Sequence, residues 1–336
     1  VYRAVKISIV TSIVLVLLLA GISYYLAKQW FTSPLATVTE PTLVEIKRGS
    51  HARSIARLFS EKGVFESSDF AYWSARLLKP VERLQAGVYQ LEPGMSPEAI
   101  WDMLAHGEQH LFSITFPEGL NFSEWQNLIA GHPWLVSEWQ SLDAESIAAR
   151  LELPFDASHP EGLLYPDTYK FHAYTTDGQL YSQAVGKMRN LVMELWEQRA
   201  DDLPITSPYE ALILASIVEK ETGADQERGL VASVFVNRMR TGMRLQSDPT
   251  IVYGLGERYR GVIYRSDIQE HTPYNTYRIH RLPPTPIAMP GRAALAATLN
   301  PPASDYFYFV SRNDGTHVFS KTLQEHNRAV QEYQRN

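Results

Sequence analysis

The sequence predicts an α+β protein carried on a single N-terminal transmembrane helix, with a small module followed by a larger α+β domain. Three observations predict this. One uncharged, mostly apolar run stands near the N-terminus; beyond it, short strand patterns are interspersed with helical ones; and neither an internal repeat nor a low-complexity tract interrupts them. The apolar run extends from Ile7 to Leu26, and twenty such residues span a bilayer as a helix. A cleaved secretory signal has a shorter apolar core and a small-residue cleavage site. The Tyr24, Tyr25, Leu26 end of this run, with Lys28 and Trp30 as interface anchors, suits an uncleaved anchor instead. Arg3 and Lys6 precede the span, so the positive-inside rule places the short N-terminus in the cytoplasm and the remaining chain outside the inner membrane.

Residues 1–30 thus form the cytoplasmic tip and anchor, and residues 31–41 a polar, proline-flanked linker containing Pro34 and Pro41. Residues 42–112 read strand, helix, helix, strand, helix. Leu43 to Ile46 is a strand before a Gly49, Ser50 turn; Ile55, Leu58 and Phe59 form one helical stripe, and Phe70, Trp73 and Leu77 another. Gly87 to Leu91 is a returning strand, and Pro93, Gly94 turn into a helix with Ile100, Met103 and Leu104 inward.

Residues 113–336 form the larger domain. Ser113 to Phe116 predicts a strand, Glu124 to Ile129 a helix, and Tyr181 to Arg199 a long helix with Val185, Met188, Val192 and Leu195 on one side. Proline-rich stretches at 282–290 and 300–303 mark surface loops. Tyr306 to Val310 is a continuous apolar run that suits a buried strand, and Asp314, Gly315 signal a hairpin into His317, Val318 and Phe319.

The chain has no cysteine, which removes disulfide, thiolate and cysteine–zinc chemistry. Its formal net charge is −6, and the part after residue 39 carries −9, since residues 1–39 hold only Arg3, Lys6 and Lys28. Such an acidic ectodomain lacks the basic footprint that nucleic-acid binding needs. Gly254, Leu255, Gly256 is only a fragment of a dinucleotide loop and reads as a turn; His106 and His110 have metal-compatible spacing but no partner motif. No Walker or Gly-x-Ser-x-Gly sequence occurs. No metal site and no cofactor are implied.

The most informative segment is the helix that opens at Ser207, with Pro208 at its first position and Glu210 completing a capping box. At about 100° per residue, Leu214, Ile217, Val218 and Glu221 share a face, and Glu219 lies about 200° from Glu221. Glu219 is therefore expected to face outward and Glu221 to sit beside the apolar stripe. Desolvation and the negative end of the helix would both raise the Glu221 pKa, as a general acid in glycosidic cleavage requires. A last-turn glutamate paired with an arginine is the plainer alternative.

The run Ala215 to Thr222, then Glu227, Arg228 and Val231 to Arg238, closely resembles the endolytic murein transglycosylases, the YceG-like (MltG) family. The resemblance continues through Gly242 to Thr250, Tyr253, Gly254, Tyr274 to Tyr277 and Leu282 to Pro284, and upstream through Glu161, Gly162 and Tyr165 to Tyr169. It implies a bacterial inner-membrane protein, single-pass, with its catalytic domain in the periplasm. Its substrate would be nascent peptidoglycan glycan strands, cut between N-acetylmuramic acid and N-acetylglucosamine to leave 1,6-anhydro ends, and a peptidoglycan synthase is the implied partner. The second glutamate of the Glu-Lys-Glu-Thr motif, Glu221, carries catalysis by this resemblance. Gln246, Asp248, Tyr253, Tyr274, Asn275, Thr276 and Tyr277 are the residues expected to bind substrate. The order of elements in residues 42–112 resembles LysM-like modules, which grip N-acetylglucosamine-containing chains; a spacer without a ligand is the alternative. Two departures stand out: Arg281 and Thr285 occupy the positions flanking Leu282, Pro283, Pro284 where the family commonly has glycine. Two other readings remain open, a muramidase-type hydrolase with Asp248 or Asp167 as second carboxylate, and a non-catalytic membrane-anchored scaffold that binds peptidoglycan.

Overall fold

The apolar run does form a helix. In the computed structural model, which describes residues 2–80 and 83–334, α1 (Tyr2–Thr32) is unbroken, and its stretch Lys6–Thr32 is long and apolar enough to cross a membrane. Its side chains from Ile7 to Leu26 are exposed, whereas Ala27 and Phe31 are buried at its end. The chain divides into two compact units. One runs through Phe112 and takes in Lys170–Ala173; the other holds Ser113–Tyr169 and the chain from Tyr174 onward.

The first unit continues with β1 (Thr42–Ile46), α2 (Ala52–Glu61), α3 (Ser68–Leu78), β2 (Gly87–Leu91) and α4 (Pro97–His106). β1 and β2 pair antiparallel, from Thr42 opposite Leu91 to Ile46 opposite Gly87. Val44, Ile46, Ile55, Phe59, Tyr89, Leu91, Trp101 and Leu104 fill the core between this ribbon and the helices. Ser96 caps α4, with Pro97 at its first position and Gly107 left-handed after its end.

The helical stripe Phe70, Trp73 and Leu77 forms as its spacing predicts but is exposed, and α3 buries Ala71, Ser74 and Ala75 instead. Small side chains let α3 lie close to α2, whose Ala56 shares the same core, so the large residues are left on the opposite face.

β3 (Leu111–Thr115) pairs with β5 (Thr168–His172), and in the second unit the short β4 (Leu135–Val136) pairs in parallel with β6 (Thr175–Thr176). Between and after them lie α5 (Phe122–Ala130), α6 (Ala144–Leu151), α7 (Asp177–Glu197), α8 (Pro208–Glu221), α9 (Arg228–Arg240), α10 (Asp248–Leu255), α11 (Arg265–Gln269) and α12 (Arg292–Leu299). An antiparallel hairpin, β7 (Tyr308–Ser311) and β8 (His317–Ser320), and α13 (Leu323–Tyr333) complete the chain. The hairpin turns where Asp314 and Gly315 predicted it. The strand before it is half-exposed, with only Val310 buried, because it belongs to a two-stranded ribbon covered on one side.

α8 is the centre of this unit. Every residue from Ala211 to Val218 is buried, against α7, α9, α10 and α12. Ser207 caps it, its hydroxyl accepting from Glu210 N at 3.1 Å. The Glu210 carboxylate accepts from Thr206 N at 2.7 Å, one residue further back than a reciprocal capping box would have it.

The buried face of α3 is checked by urea unfolding of the full chain in detergent. Ile55→Ala is expected to cost about 2–5 kcal/mol, as a fully buried aliphatic side chain does, and Trp73→Ala to change stability by no more than about 0.5 kcal/mol.

Candidate active site

Glu221 is the last residue of α8; Thr222 after it is extended, with φ −144° and ψ 131°. The side chain is partly exposed. Ser247 donates its hydroxyl proton to Glu221 Oε1 at 2.5 Å. Ser247 is itself 1% exposed, and its backbone N–H donates to Thr276 Oγ1 at 2.9 Å. Thr276 Oγ1 in turn lies 2.9 Å from Thr250 Oγ1, so the serine is held from behind by two buried threonines.

Burial around the Glu221 carboxyl disfavours its anion and pushes the pKa up to about 7. The Ser247 hydrogen bond opposes that rise, the charge of Asp248 adds to it, and the Arg238 guanidinium opposes it again. Because Oε1 already accepts the Ser247 hydroxyl, Oε2 is the oxygen that carries the proton of the acid form.

Asp248 begins α10, is exposed, and accepts the Tyr277 phenol proton at 2.7 Å. Burial raises the Tyr277 pKa, and the charges of Asp248 and Glu221 raise it further, so the phenol stays a donor. Arg238, 6% exposed, is fixed by Nε donating to Phe307 O at 2.6 Å and by a second bond to Leu245 O, and lies over the Tyr308 ring.

The expected substrate residues divide into groups. Asp248 and Tyr277 belong with Glu221. Tyr253 and Tyr274 pack edge to face, 4.8 Å between ring centroids, around a different carboxyl: Tyr253 Oη donates to Glu161 Oε2 at 3.0 Å, and Tyr274 Oη lies 2.9 Å from Thr285 Oγ1. Asn275 and Thr276 are interior. Asn275 Nδ2 donates to the carbonyls of Asp267, Ile268 and Glu270, which clamps its own loop, while Thr276 backs Ser247. Gln246 is exposed, in a left-handed conformation with φ 50°. Asp167 accepts from Lys187 Nζ at 2.8 Å, and that contact holds its carboxyl below the usual range.

Glu161 is 2% exposed and accepts from Phe122 N at 3.1 Å as well as from Tyr253; burial pushes it up to about 7. Gly162 places it. Its φ is 78°, and a Cβ there would stand 2.3 Å from the Pro286 ring. Arg281 shows the same backbone requirement: its φ is 62°, a conformation glycine adopts without strain, and its guanidinium is tied to Pro204 O and Glu210. Thr285 uses its hydroxyl on Tyr274 and on Pro286 O.

Glu219 departs from expectation. It is half-buried, accepts from Gly291 N at 2.9 Å, and has its pKa raised by burial. The Gly291 backbone at the start of α12 covers the face it was expected to turn to solvent. Ser247 and Arg238 stand in the runs that carry the family resemblance but not among the residues expected to act, although each carries a signal: a short hydroxyl between two polar candidates, and a cation on a helix whose neighbours Val231 to Val236 are almost all apolar.

Stability should respond to both raised carboxyls. The folded chain keeps protons at Glu161 and Glu221 that the unfolded chain, at the ordinary 4.5, releases. Stability therefore falls as pH rises from about 4.5 to about 7 and levels off above. Glu161→Gln and Glu221→Gln should each remove part of that fall, at most roughly 3 kcal/mol apiece, in urea titrations across this range; curves parallel to the parent's would refute the assignment.

Comparison with known proteins agrees over most of the chain. Residues 44–332 match the model of the YceG-like family. The endolytic murein transglycosylase of Bacillus subtilis is 33% identical over 306 residues, covering 86% of this chain and 84% of that one. That of Streptococcus pneumoniae is 28% identical over 324 residues, covering 86% of this chain and 58% of that longer one. Among solved structures, a YceG-like protein from Listeria monocytogenes superposes with a TM-score of 0.55 at 30% identity, over 86% of this chain and 98% of that one. The fold, the ordered motifs around Glu221 and these matches together place the chain in the YceG-like family.

Proposed function

We propose that the chain is an endolytic peptidoglycan lytic transglycosylase, a lyase that cleaves the bond between N-acetylmuramic acid and N-acetylglucosamine within glycan strands, with Glu221 as its acid and base. The observation that carries this reading is the Glu221 carboxyl, kept protonated to about pH 7 by burial and oriented by Ser247. Relatives bearing the name of this activity support it. Oε2 of Glu221 gives its proton to the glycosidic oxygen as the bond to the muramic anomeric carbon breaks and positive charge develops there. The muramic C6 hydroxyl then closes on that carbon, and the carboxylate takes the hydroxyl proton. One residue thus acts twice, no water is consumed, and the second carboxylate of ordinary glycosidases is not needed. The developing carboxylate is stabilised by the Ser247 hydroxyl and by the fixed charge of Arg238.

Asp248, Tyr277 and Gln246 are the side chains assigned to the sugars beside Glu221, with Tyr253 and Tyr274 as a flanking aromatic pair; Asn275 and Thr276 shape the site from within. α1 would anchor the chain in the inner membrane with Arg3 and Lys6 in the cytoplasm and the chain beyond α1 in the periplasm, where nascent strands and a peptidoglycan synthase are met. The βααβα order of the first unit supports a LysM-like module that holds the strand during cleavage.

Mass analysis of glycan strands digested by the full chain decides the reaction. Ends lighter by one water, the anhydro form, are expected; reducing ends alone would make the protein a hydrolase, and no shortening would make it a scaffold. Glu221→Gln should lose about 10²-fold or more in rate, the contribution of a positioned acid–base group. The rate should fall as pH rises above about 7, where Glu221 loses its proton. Ser247→Ala, by removing the bond that lowers this pKa, should move that alkaline limb upward and slow turnover, and Ser247→Thr should restore both.

A further inference from the structure

The outward stripe of α3 is uncovered along most of its length: Trp73 meets only the edge of its chain neighbour Tyr72, 5.2 Å between ring centroids, and one end of the stripe meets α1. Phe70, Trp73 and Leu77 are 42%, 56% and 63% exposed. At that end, the Trp30 ring of α1 meets Phe70 edge on, 5.0 Å between centroids. Trp30 lies four residues beyond Leu26, the last residue of the exposed apolar run, or about 6 Å along the helix axis. No hinge separates the two. α1 is continuous to Thr32, and Ala27 and Phe31 are packed into the body that holds α3.

We propose that the Phe70, Trp73, Leu77 face of α3 seats in the lipid interface of the membrane that α1 enters, so that the first unit is docked on the bilayer rather than held off it. The inference rests on the anchor assigned above. The stripe runs only about 10 Å along α3 from Phe70, so it stays near the depth at which α1 leaves the hydrocarbon. A tryptophan flanked by apolar residues is the composition of a membrane interface. Arg76, exposed and in no ion pair among the described residues, follows Trp73 by one turn, where its guanidinium can reach lipid phosphate while its stem lies along the apolar face. Asp69 lies at the opposite, N-terminal turn. A glycan is a poorer occupant, since Phe70 and Leu77 offer no hydrogen bond to a sugar. A second copy is poorer too: the exposed part of the stripe is roughly 300 Å², judged from the size of such side chains, against about 800 Å² per partner in a stable protein interface.

The absence of cysteine allows single labels. Full-length Trp73→Cys, Leu77→Cys and Leu17→Cys, each carrying an environment-sensitive dye, are reconstituted into vesicles of phosphatidylethanolamine and phosphatidylglycerol, with or without nitroxide on the acyl chains. All three are expected to emit to the blue of the same dye on a soluble thiol and to lose emission to the nitroxide. If Leu17→Cys is quenched while the other two keep the emission of water, the inference falls and the anchor stands. If Leu17→Cys is not quenched, both fall. A blue shift at positions 73 and 77 that grows with protein density, or appears only with added glycan strands, assigns the face to a second copy or to substrate and overturns the proposal.

Discussion

Burial of α8 from Ala211 to Val218 is the constraint on which the site depends. With Ala211 to Val218 packed on every side, the helix cannot rotate or slide, and its last residue inherits a fixed position. Glu221 therefore meets Ser247 from α10's leading edge without any adjustment of α8. The serine is equally constrained, through Thr276 and Thr250. Packing thus supplies the orientation that a catalytic carboxyl needs, and the same packing removes the water that would otherwise favour its anion.

Two carboxyls in this unit are raised to about 7, and their partners separate their roles. Glu161 spends its acceptor capacity on the Phe122 backbone and the Tyr253 phenol; at 2% exposure it ties the start of α5 to α10. Glu221 has one oxygen engaged by Ser247 and remains partly exposed. A raised pKa alone would not distinguish them. Accessibility and an uncommitted oxygen do, and they favour Glu221 as the group that exchanges a proton with substrate.

The first unit shows how side-chain size can decide which face of a helix is buried. α3 carries a large apolar stripe and a small one. Close approach to its neighbours selects the small one, Ala71 and Ala75, and leaves Phe70, Trp73 and Leu77 outside, beside the end of α1. The departures from family pattern in the second unit are tolerated for a different reason. Arg281 takes a left-handed backbone suited to glycine and is held there by bonds to Pro204 O and Glu210, while Thr285 finds hydroxyl and carbonyl partners.

The sequence by itself determined the long apolar helix near the N-terminus, the order of strands and helices in residues 42–112, the start and end of α8 and the hairpin at Asp314 and Gly315, and it singled out Glu221 as the candidate acid. These follow from local signals: caps, turn residues, an uninterrupted apolar run, and a motif contiguous along the chain. Only the tertiary structure decided which face of α3 is inside, that Glu219 is half-buried against Gly291, that Asn275 and Thr276 are interior, and that Ser247 and Arg238 flank Glu221. Each of those outcomes depends on residues distant in sequence. Helical period says which side chains share a face, but what lies opposite that face is set by packing, and so are the desolvation and hydrogen bonds that determine where a carboxyl holds its proton.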